Sequence, residues 1–382
     1  MINSKLPHVQ TSIFSVMSAL ANEHNAVNLS QGFPNFPCDP ELVNLVTKYM
    51  QEGKNQYPPM PGIPELREVI ADQANRRHGC SIDPITEVTV ASGATQAIYT
   101  AITATVRSGD EVIILTPAYD CYGPSIELNG AKVVEVPLAT PGFKVDMEKL
   151  KEAITPRTRM IMVNTPHNPS GSLVTREEWL QIAEMIRDTD ILVLSDEVYE
   201  HIVFDGEKHC SVLAIEELRN RAFVTASFGK TFHVTGWKMG YCIASEKLMA
   251  EFRKCHQFIV FTSHTPSQYA LAEYMQNEEK IDGLGPFYQQ KRDLFLESLG
   301  DTAFEFTPAK GTYFQLLNFR NISDELDVDF ARKLTIEHKI AAVPISVFYE
   351  DRRNERYLRF CFAKDDETLR NAGKLLNEIS NA

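Results

Sequence analysis

Two lysines lie eight residues apart in a segment of small and hydroxylated residues that runs from Ser227 to Lys238. The first, Lys230, follows a predicted strand that begins at Ala222. A lysine at the end of a strand can lie in a partly desolvated pocket, where its amine loses a proton and attacks a carbonyl to form a Schiff base. Ser227 and Lys238 could hold a phosphate nearby. These residue types together indicate pyridoxal 5′-phosphate (PLP) chemistry.

A surface lysine or a nucleotide-binding loop would give a similar local pattern. A single lysine is most often a solvated surface charge. The triplet 229–231 matches the end of the phosphate-binding pattern G-x-x-x-x-G-K-[ST], but Val224 occupies the position of its first glycine. The residues 283–285 begin G-x-G-x-x-G, but Tyr288 occupies the position of the third glycine. The sequence therefore argues against both nucleotide-binding loops.

Composition restricts the class of protein. The chain has 382 residues with 43% hydrophobic and 23% charged residues, which is typical of a globular protein of roughly two to three domains. A net charge of -13 argues against nonspecific binding to nucleic acid. We find no apolar run long enough for a membrane helix, no signal peptide and no metal-binding spacing of histidines or cysteines. Seven scattered cysteines predict free thiols and a cytoplasmic location.

Short β-branched runs alternate with helical patterns along most of the chain. The candidate strands are 87–90, 111–115, 132–136, 160–163, 191–194, 222–226 and 240–243. This α/β alternation predicts a mostly parallel seven-stranded sheet flanked by helices. From about Gly285 the pattern changes to that of a smaller α+β domain. We predict an N-terminal arm with part of the small domain at 1–40, a large domain at 41–284 and the small domain at 285–382.

Small, polar or aromatic residues follow several of these strands. They are Gly93-Ala94-Thr95, Tyr119, Asn168, and Asp196 with Tyr199. Ligands of open α/β sheets bind beyond the carboxyl ends of the strands, so this placement suggests a cofactor site. Each residue alone has an ordinary role as a helix cap, a packing aromatic, a loop former or an N-cap aspartate. His167 is interpreted as a local hydrogen-bonding residue.

The order of these residues carries a family resemblance. Over essentially its whole length the chain resembles the class I/II aminotransferases, which are fold-type I PLP enzymes. It is similar in particular to their methionine and kynurenine aminotransferase (glutamine transaminase K) branch. The stretches that carry the resemblance are 28–34, 55–57, 164–169, 195–199, 227–232, 235–238 and 359–362.

The resemblance implies a role for each position. Lys230, Asp196 and Tyr199 would be catalytic. The implied cofactor-binding residues are Tyr57, Gly93, Ala94, Thr95, Tyr119, Asn168, Asp196, Tyr199, Ser227, Lys230 and Lys238. The implied substrate-binding residues are Gly32, Asn168 and Arg359. No metal is implied.

Within that set, Tyr119 would stack on the cofactor ring and Asp196 would keep its nitrogen protonated. Lys238 occupies a position where many relatives have arginine. Tyr57 resembles a tyrosine that reaches the phosphate of the neighbouring subunit, which implies a homodimer. Arg359 resembles the arginine that binds the substrate α-carboxylate in a bidentate pair.

The implied reaction is ping-pong transamination between an L-amino acid and a 2-oxo acid. Methionine, glutamine, aromatic amino acids and kynurenine are the expected donors. Aspartate-specific relatives use a second arginine from the neighbouring subunit, and the matching segment 257–263 lacks one and has Ile259 near its position. β-Elimination on sulfur amino acids by the same cofactor remains an alternative. A PLP-binding transcription regulator is a further alternative, which the acidic charge argues against.

Overall fold

The computed structural model describes residues 3–380. Its strands are β1 (Val27–Asn28), β2 (Val88–Ala91), β3 (Glu111–Thr116), β4 (Lys132–Pro137), β5 (Thr158–Asn164), β6 (Leu192–Asp196), β7 (Ala222–Ser227), β8 (Gly240–Ala244), β9 (Phe314–Asn318), β10 (Ile340–Ala341), β11 (Val343–Pro344) and β12 (Tyr357–Cys361).

Helices connect these strands. They are α1 (Ile13–Glu23), α2 (Pro40–Gln51), α3 (Pro64–His78), α4 (Ala94–Thr105), α5 (Tyr122–Leu128), α6 (Met147–Ala153), α7 (Arg176–Ile186), α8 (Glu216–Arg219), α9 (Phe228–Thr231), α10 (Glu246–Ile259), α11 (Thr265–Tyr274), α12 (Glu279–Asp282), α13 (Leu284–Ser298), α14 (Asp327–Ile336) and α15 (Asp366–Ser380). None of the helices within residues 3–380 is both long and apolar enough to cross a membrane.

Seven strands form one sheet in the order β2-β8-β7-β6-β5-β3-β4. Every neighbouring pair is parallel except the two that include β8. Strands β2, β3 and β6 are buried along their whole length, as their nearly continuous apolar sequences require. The prediction of a mostly parallel seven-stranded sheet is confirmed.

The register of this sheet aligns the strand ends that carry polar residues. Asn164 at the end of β5 pairs with Asp196 at the end of β6. Ser227 at the end of β7 pairs with Gly240 at the start of the antiparallel β8. Because parallel strands all end at the same edge of a sheet, the residues that follow them meet there.

A second region contains the antiparallel sheet β11-β12-β9 and the helices α13, α14 and α15, which matches the predicted α+β pattern. The N-terminal strand β1 pairs in parallel with β10 of this region, with Val27 opposite Ile340. That pairing supports the assignment of part of the first 40 residues to the small domain. The domain boundaries at residues 40/41 and 284/285 stay a prediction.

Candidate active site

A cavity of about 260 Å³ opens at the carboxyl edge of the large sheet. The predicted site residues that line it are Gly32, Gly93, Ala94, Thr95, Tyr119, Asn168, Asp196, Tyr199, Ser227, Lys230, Lys238 and Arg359. They come from sequence positions far apart, and the fold brings all of them to one place. Tyr57 is the one predicted site residue that does not line this cavity.

Lys230 is half-buried on the short helix α9, directly after β7. Its Nζ donates a hydrogen bond to the backbone oxygen of Gly32 at 3.0 Å and lies 5.8 Å from the ring centroid of Tyr199. Burial lowers the pKa of its amine to about 8, and the positive charge of Arg359 acts in the same direction. A lysine with this pKa has an appreciable neutral fraction near physiological pH, as a nucleophile or a general base requires.

Asp196 ends β6 with its carboxylate buried in the cavity wall. Its Oδ2 accepts a 2.5 Å hydrogen bond from the hydroxyl of Tyr122. Burial raises the pKa of the carboxyl to about 6, and the bond from Tyr122 opposes that shift. A buried carboxylate is unfavourable unless it is paired, so this group is suited to a cationic partner inside the cavity.

Asn164 connects Asp196 to the loop that carries Asn168. Its Nδ2 donates to the backbone oxygen of Asp196 at 2.8 Å, and its Oδ1 accepts from the backbone N–H of Asn168 at 2.7 Å. The His167 side chain binds within this loop and to the segment after β3, with Nδ1 and Ser170 Oγ 2.7 Å apart and Nε2 and Pro117 O 3.0 Å apart. The loop is therefore anchored by polar contacts to β5 and to the segment after β3 as well as by its own.

The N-terminus of α4 forms an anion-binding corner. Gly93 precedes the helix with φ +81°, a conformation that favours glycine, and no side chain caps this end. A Cβ on Gly93 would lie 3.6 Å from Nζ of Lys238. A Cβ on Gly240 would lie 2.5 Å from the oxygen of Ala226 and 3.0 Å from the nitrogen of Ala94, so β8 packs directly against this corner.

The first backbone N–H groups of a helix have no partner within the helix, and they bind phosphate well. Thr95 and Ser227 add hydroxyl groups to this corner, and Lys238 adds a positive charge. These donors fit a phosphate group. Together with Lys230 and the Asp196 carboxylate, they fit PLP, which has a phosphate, an aldehyde and a ring nitrogen.

Arg359 on β12 is 1% exposed. Its Nη1 donates to Asn168 Oδ1 at 2.9 Å and its Nη2 donates to Ser30 O at 3.0 Å. Its guanidinium carbon lies 4.0 Å from the ring centroid of Phe314. Within residues 3–380, its Nε has no hydrogen-bond partner and no carboxylate lies within ion-pair distance. A buried guanidinium without a carboxylate partner is suited to bind the carboxylate of a ligand.

Aromatic rings form the remaining walls of the cavity. Tyr119, Tyr199 and Phe314 line it, and the Tyr199 and Tyr313 rings meet edge to face with centroids 5.1 Å apart. Burial raises the pKa of both Tyr119 and Tyr199 well above the ordinary value, so both phenols stay protonated as hydrogen-bond donors. The predicted stacking of Tyr119 on a cofactor ring stays a prediction.

Tyr57 lies elsewhere on the surface. Its side chain is 84% exposed, and its ring meets that of Phe261 edge to face at 5.5 Å. Its predicted contact with a neighbouring subunit also stays a prediction.

Sequence reasoning missed two tyrosines at this site. Tyr122 binds Asp196, and the Tyr313 hydroxyl donates to the oxygen of Gly32 at 2.7 Å, the same oxygen that accepts from Lys230. The one sequence feature that could have indicated Tyr122 is its position three residues after Tyr119. Tyr313 precedes a strand and carries no signal that separates it from a core aromatic.

The family model for aminotransferase class I and II matches residues 24–376. The chain belongs to this family. It is 45% identical over 377 residues to the methionine aminotransferase of Escherichia coli, covering 98% of each chain. It is 32% identical to kynurenine–oxoglutarate transaminase 1 of Homo sapiens, covering 92% of this chain and 91% of the human protein.

A solved Escherichia coli structure with a reported methionine aminotransferase function superposes with a TM-score of 0.97 at 44% identity and covers 99% of both chains. The predicted fold, the aminotransferase class and the relation to the methionine and kynurenine branch are therefore confirmed. The roles of individual residues remain predictions.

Proposed function

We propose that this aminotransferase uses PLP to transfer the amino group of an uncharged L-amino acid, methionine in particular, to a 2-oxo acid. Family membership supports the cofactor, because class I and II aminotransferases generally depend on PLP. The observation that carries the proposal is the convergence of Lys230, Asp196, Arg359 and the N-terminus of α4 on one cavity.

Each of these groups has a distinct task in the proposal. The first turn of α4, Ser227 and Lys238 bind the phosphate. Asp196 holds the ring nitrogen protonated, and Arg359 binds the substrate carboxylate. When bound, PLP supplies a carbonyl for the amino group and an electron-withdrawing ring. Lys230 removes the substrate α-proton as a general base and returns it as a general acid.

Steady-state kinetics test this function. Varying methionine at several fixed concentrations of a 2-oxo acid is expected to give the parallel double-reciprocal lines of a ping-pong reaction. Turnover of methionine is expected to require the oxo acid. β-Elimination needs sulfur on the β-carbon, which methionine lacks, so it is tested with an S-substituted cysteine. Release of thiol, ammonia and a 2-oxo acid from that substrate without an acceptor, faster than methionine transamination, would contradict transamination as the main activity.

The substrate preference is a separate prediction. We expect kcat/KM for methionine to exceed that for aspartate by well over tenfold with one shared oxo-acid acceptor. The resemblance brings the segment around Ile259 to the site from the neighbouring subunit, and this segment offers no cation. Placing a carboxylate against apolar groups costs several kcal/mol, with about 1.4 kcal/mol for each factor of ten. Phe33 and Phe314 in the cavity wall suit a thioether.

An arginine substitution provides a second measurement of this preference. Ile259→Arg is expected to raise kcat/KM for aspartate relative to methionine, because it supplies the missing cation. Leu326→Arg is the matched control, since Leu326 is also exposed but lies beside α14 in the C-terminal region. Equal or better use of aspartate by the unchanged enzyme would contradict the predicted apolar character of the pocket.

We also propose that the enzyme is a cytoplasmic homodimer. None of the seven cysteines forms a disulfide, which supports a reducing compartment. Tyr57 and Phe258 are 84% and 85% exposed, and Phe261 lies against Tyr57. Neighbouring exposed aromatic side chains are typical of a protein interface. This surface therefore supports a second copy of the chain as its partner.

Mixed dimers test whether Tyr57 acts across that interface. Tyr57→Phe is expected to lower activity by weakening cofactor binding, which is measured first, and Lys230→Ala to remove nearly all turnover. Coexpressing the two variants should restore part of the activity, because one of the two sites in a mixed dimer keeps both residues. Each variant mixed with itself is the control. A fully active monomer in sedimentation, or the absence of recovery in proven mixed dimers, would contradict the proposal.

A further inference from the structure

The carboxylate of Asp196 has two oxygens with unequal partners. Oδ2 accepts the 2.5 Å hydrogen bond from Tyr122, whereas Oδ1 accepts one long contact, 3.3 Å, from the backbone N–H of Val198. Asp196 lines the cavity and is 4% exposed; Tyr122 is 3% exposed and is not among the cavity-lining residues. The phenol is thus bonded to one carboxylate oxygen and leaves the other available.

Packing holds the phenol in this position. Tyr122 begins α5, and its ring belongs to an apolar cluster with Ile126 on the same helix and Met162 and Leu194 on the sheet. It also meets the ring of Tyr119 edge to face at 5.9 Å. A side chain fixed by such contacts donates its hydrogen bond in one direction, which fixes the orientation of the acceptor.

The hydrogen bond also affects the charge of Asp196. Burial raises the pKa of the carboxyl to about 6, and a donor to the ionised form lowers it. The titratable groups that face this carboxylate are Tyr119, Cys121 and Tyr122 from the β3–α5 segment, Lys230 from α9, and Glu197 and Tyr199 just after it in sequence. Loss of the phenol hydroxyl leaves the backbone N–H of Val198 and, after it, the charge of Lys230 to oppose burial, so the carboxyl would ionise at higher pH.

We propose that Tyr122 is a positioning residue for transamination, which orients the Asp196 carboxylate and keeps it ionised so that Oδ1 can bind the protonated ring nitrogen of the cofactor. The inference rests on the proposed PLP dependence. Tyr122 does not line the cavity, so it would act on the cofactor only through Asp196.

The first test measures binding of PLP to the cofactor-free protein across a range of pH. Tyr122→Phe removes the hydroxyl and keeps the ring. We expect the variant to bind PLP more weakly near neutral pH and to show its acid-side loss of affinity at higher pH than the parent. Titration of the PLP phosphate is common to both proteins and does not contribute to the difference.

Steady-state kinetics provide the second readout. We expect kcat of Tyr122→Phe to fall about tenfold to a hundredfold, the range for loss of a hydrogen bond to a charged group, with a smaller change in KM. Asp196→Asn should lower kcat at least as much, and adding Tyr122→Phe to it should cause little further loss because the acceptor is no longer charged.

Tyr288→Phe is the matched control. Tyr288 is equally buried, and its hydroxyl has no hydrogen-bond partner within residues 3–380. This variant should leave PLP affinity, its pH dependence and kcat unchanged. Thermal melting of the cofactor-free proteins distinguishes a positioning role of Tyr122 from a purely structural one. If the Tyr122 hydroxyl were purely structural, its loss would lower Tm without shifting the pH at which PLP affinity is lost.

A further variant keeps the hydroxyl at position 122 and changes its acidity. With 3-fluorotyrosine at position 122, the more acidic phenol donates a stronger bond, so the acid-side loss of affinity should move to lower pH. An unshifted pH profile in either variant, or losses from Tyr122→Phe and Asp196→Asn that simply multiply, would overturn the inference. Absence of PLP binding by the parent protein would instead overturn the proposed function.

Discussion

Lys230→Ala is expected to lower transamination by at least about a thousandfold, because it removes the group that attacks the cofactor carbonyl and moves the α-proton. In the structure this amine lies in the cavity with its pKa lowered to about 8, and it has no carboxylate within ion-pair distance among residues 3–380. The measurement is kcat/KM for methionine with a saturating oxo acid, together with the visible absorbance of the lysine-bound cofactor.

The control for this prediction is Lys374→Ala, since Lys374 is an exposed lysine on α15. It should keep both activity and absorbance. The Lys230 variant should still bind PLP noncovalently, because the α4 corner and Lys238 are unchanged. Transamination at the parent rate in Lys230→Ala would show that this lysine is not the reactive amine.

Arg359→Lys is expected to raise KM for amino acids and oxo acids by about a hundredfold, with a smaller effect on kcat. Lysine keeps the charge but lacks the planar fork that binds a carboxylate through two N–H groups, and it cannot reach both Asn168 Oδ1 and Ser30 O. Removing one partner of a buried ion pair costs about 3–5 kcal/mol, which sets the upper range of the effect.

Two comparisons make this result specific. Arg370→Lys, on the exposed side of α15, should leave the kinetics unchanged. The visible absorbance of bound cofactor should persist in Arg359→Lys, because Arg359 belongs to the proposed carboxylate site. An unchanged KM with a reduced amount of bound cofactor would indicate that Arg359 supports the cofactor and not the substrate.

Much of the large sheet was predictable from local sequence. Continuous apolar runs such as 111–115 and 160–163 correspond to strands β3 and β5, because strands of a parallel sheet are covered on both faces. The run 312–317 has the residue types of a strand, but β9 begins only at Phe314. Thr312 has φ +66°, which is not extended, and its hydroxyl accepts from the backbone N–H of Phe314. A pattern of apolar residues does not predict where such a side-chain to backbone hydrogen bond delays the start of a strand.

The sequence by itself also determined most of the candidate site. Asn168, Asp196 and Lys230 follow strands whose direction is set by β/α alternation, so their convergence at one sheet edge follows from chain order. The turn at Gly93 was also predictable, because a glycine before a helix lets a phosphate approach the first backbone N–H groups.

Only the tertiary structure decided which groups touch and what their charges become. Tyr122 and Asp196 are 74 residues apart in sequence, and Lys230 and Gly32 are 198 apart. No local pattern specifies such contacts, because they depend on how α5, α9 and the N-terminal segment pack over the sheet. The pKa values of Lys230 and Asp196 depend on burial in that packed environment, which is a property of the folded chain and not of its residue types.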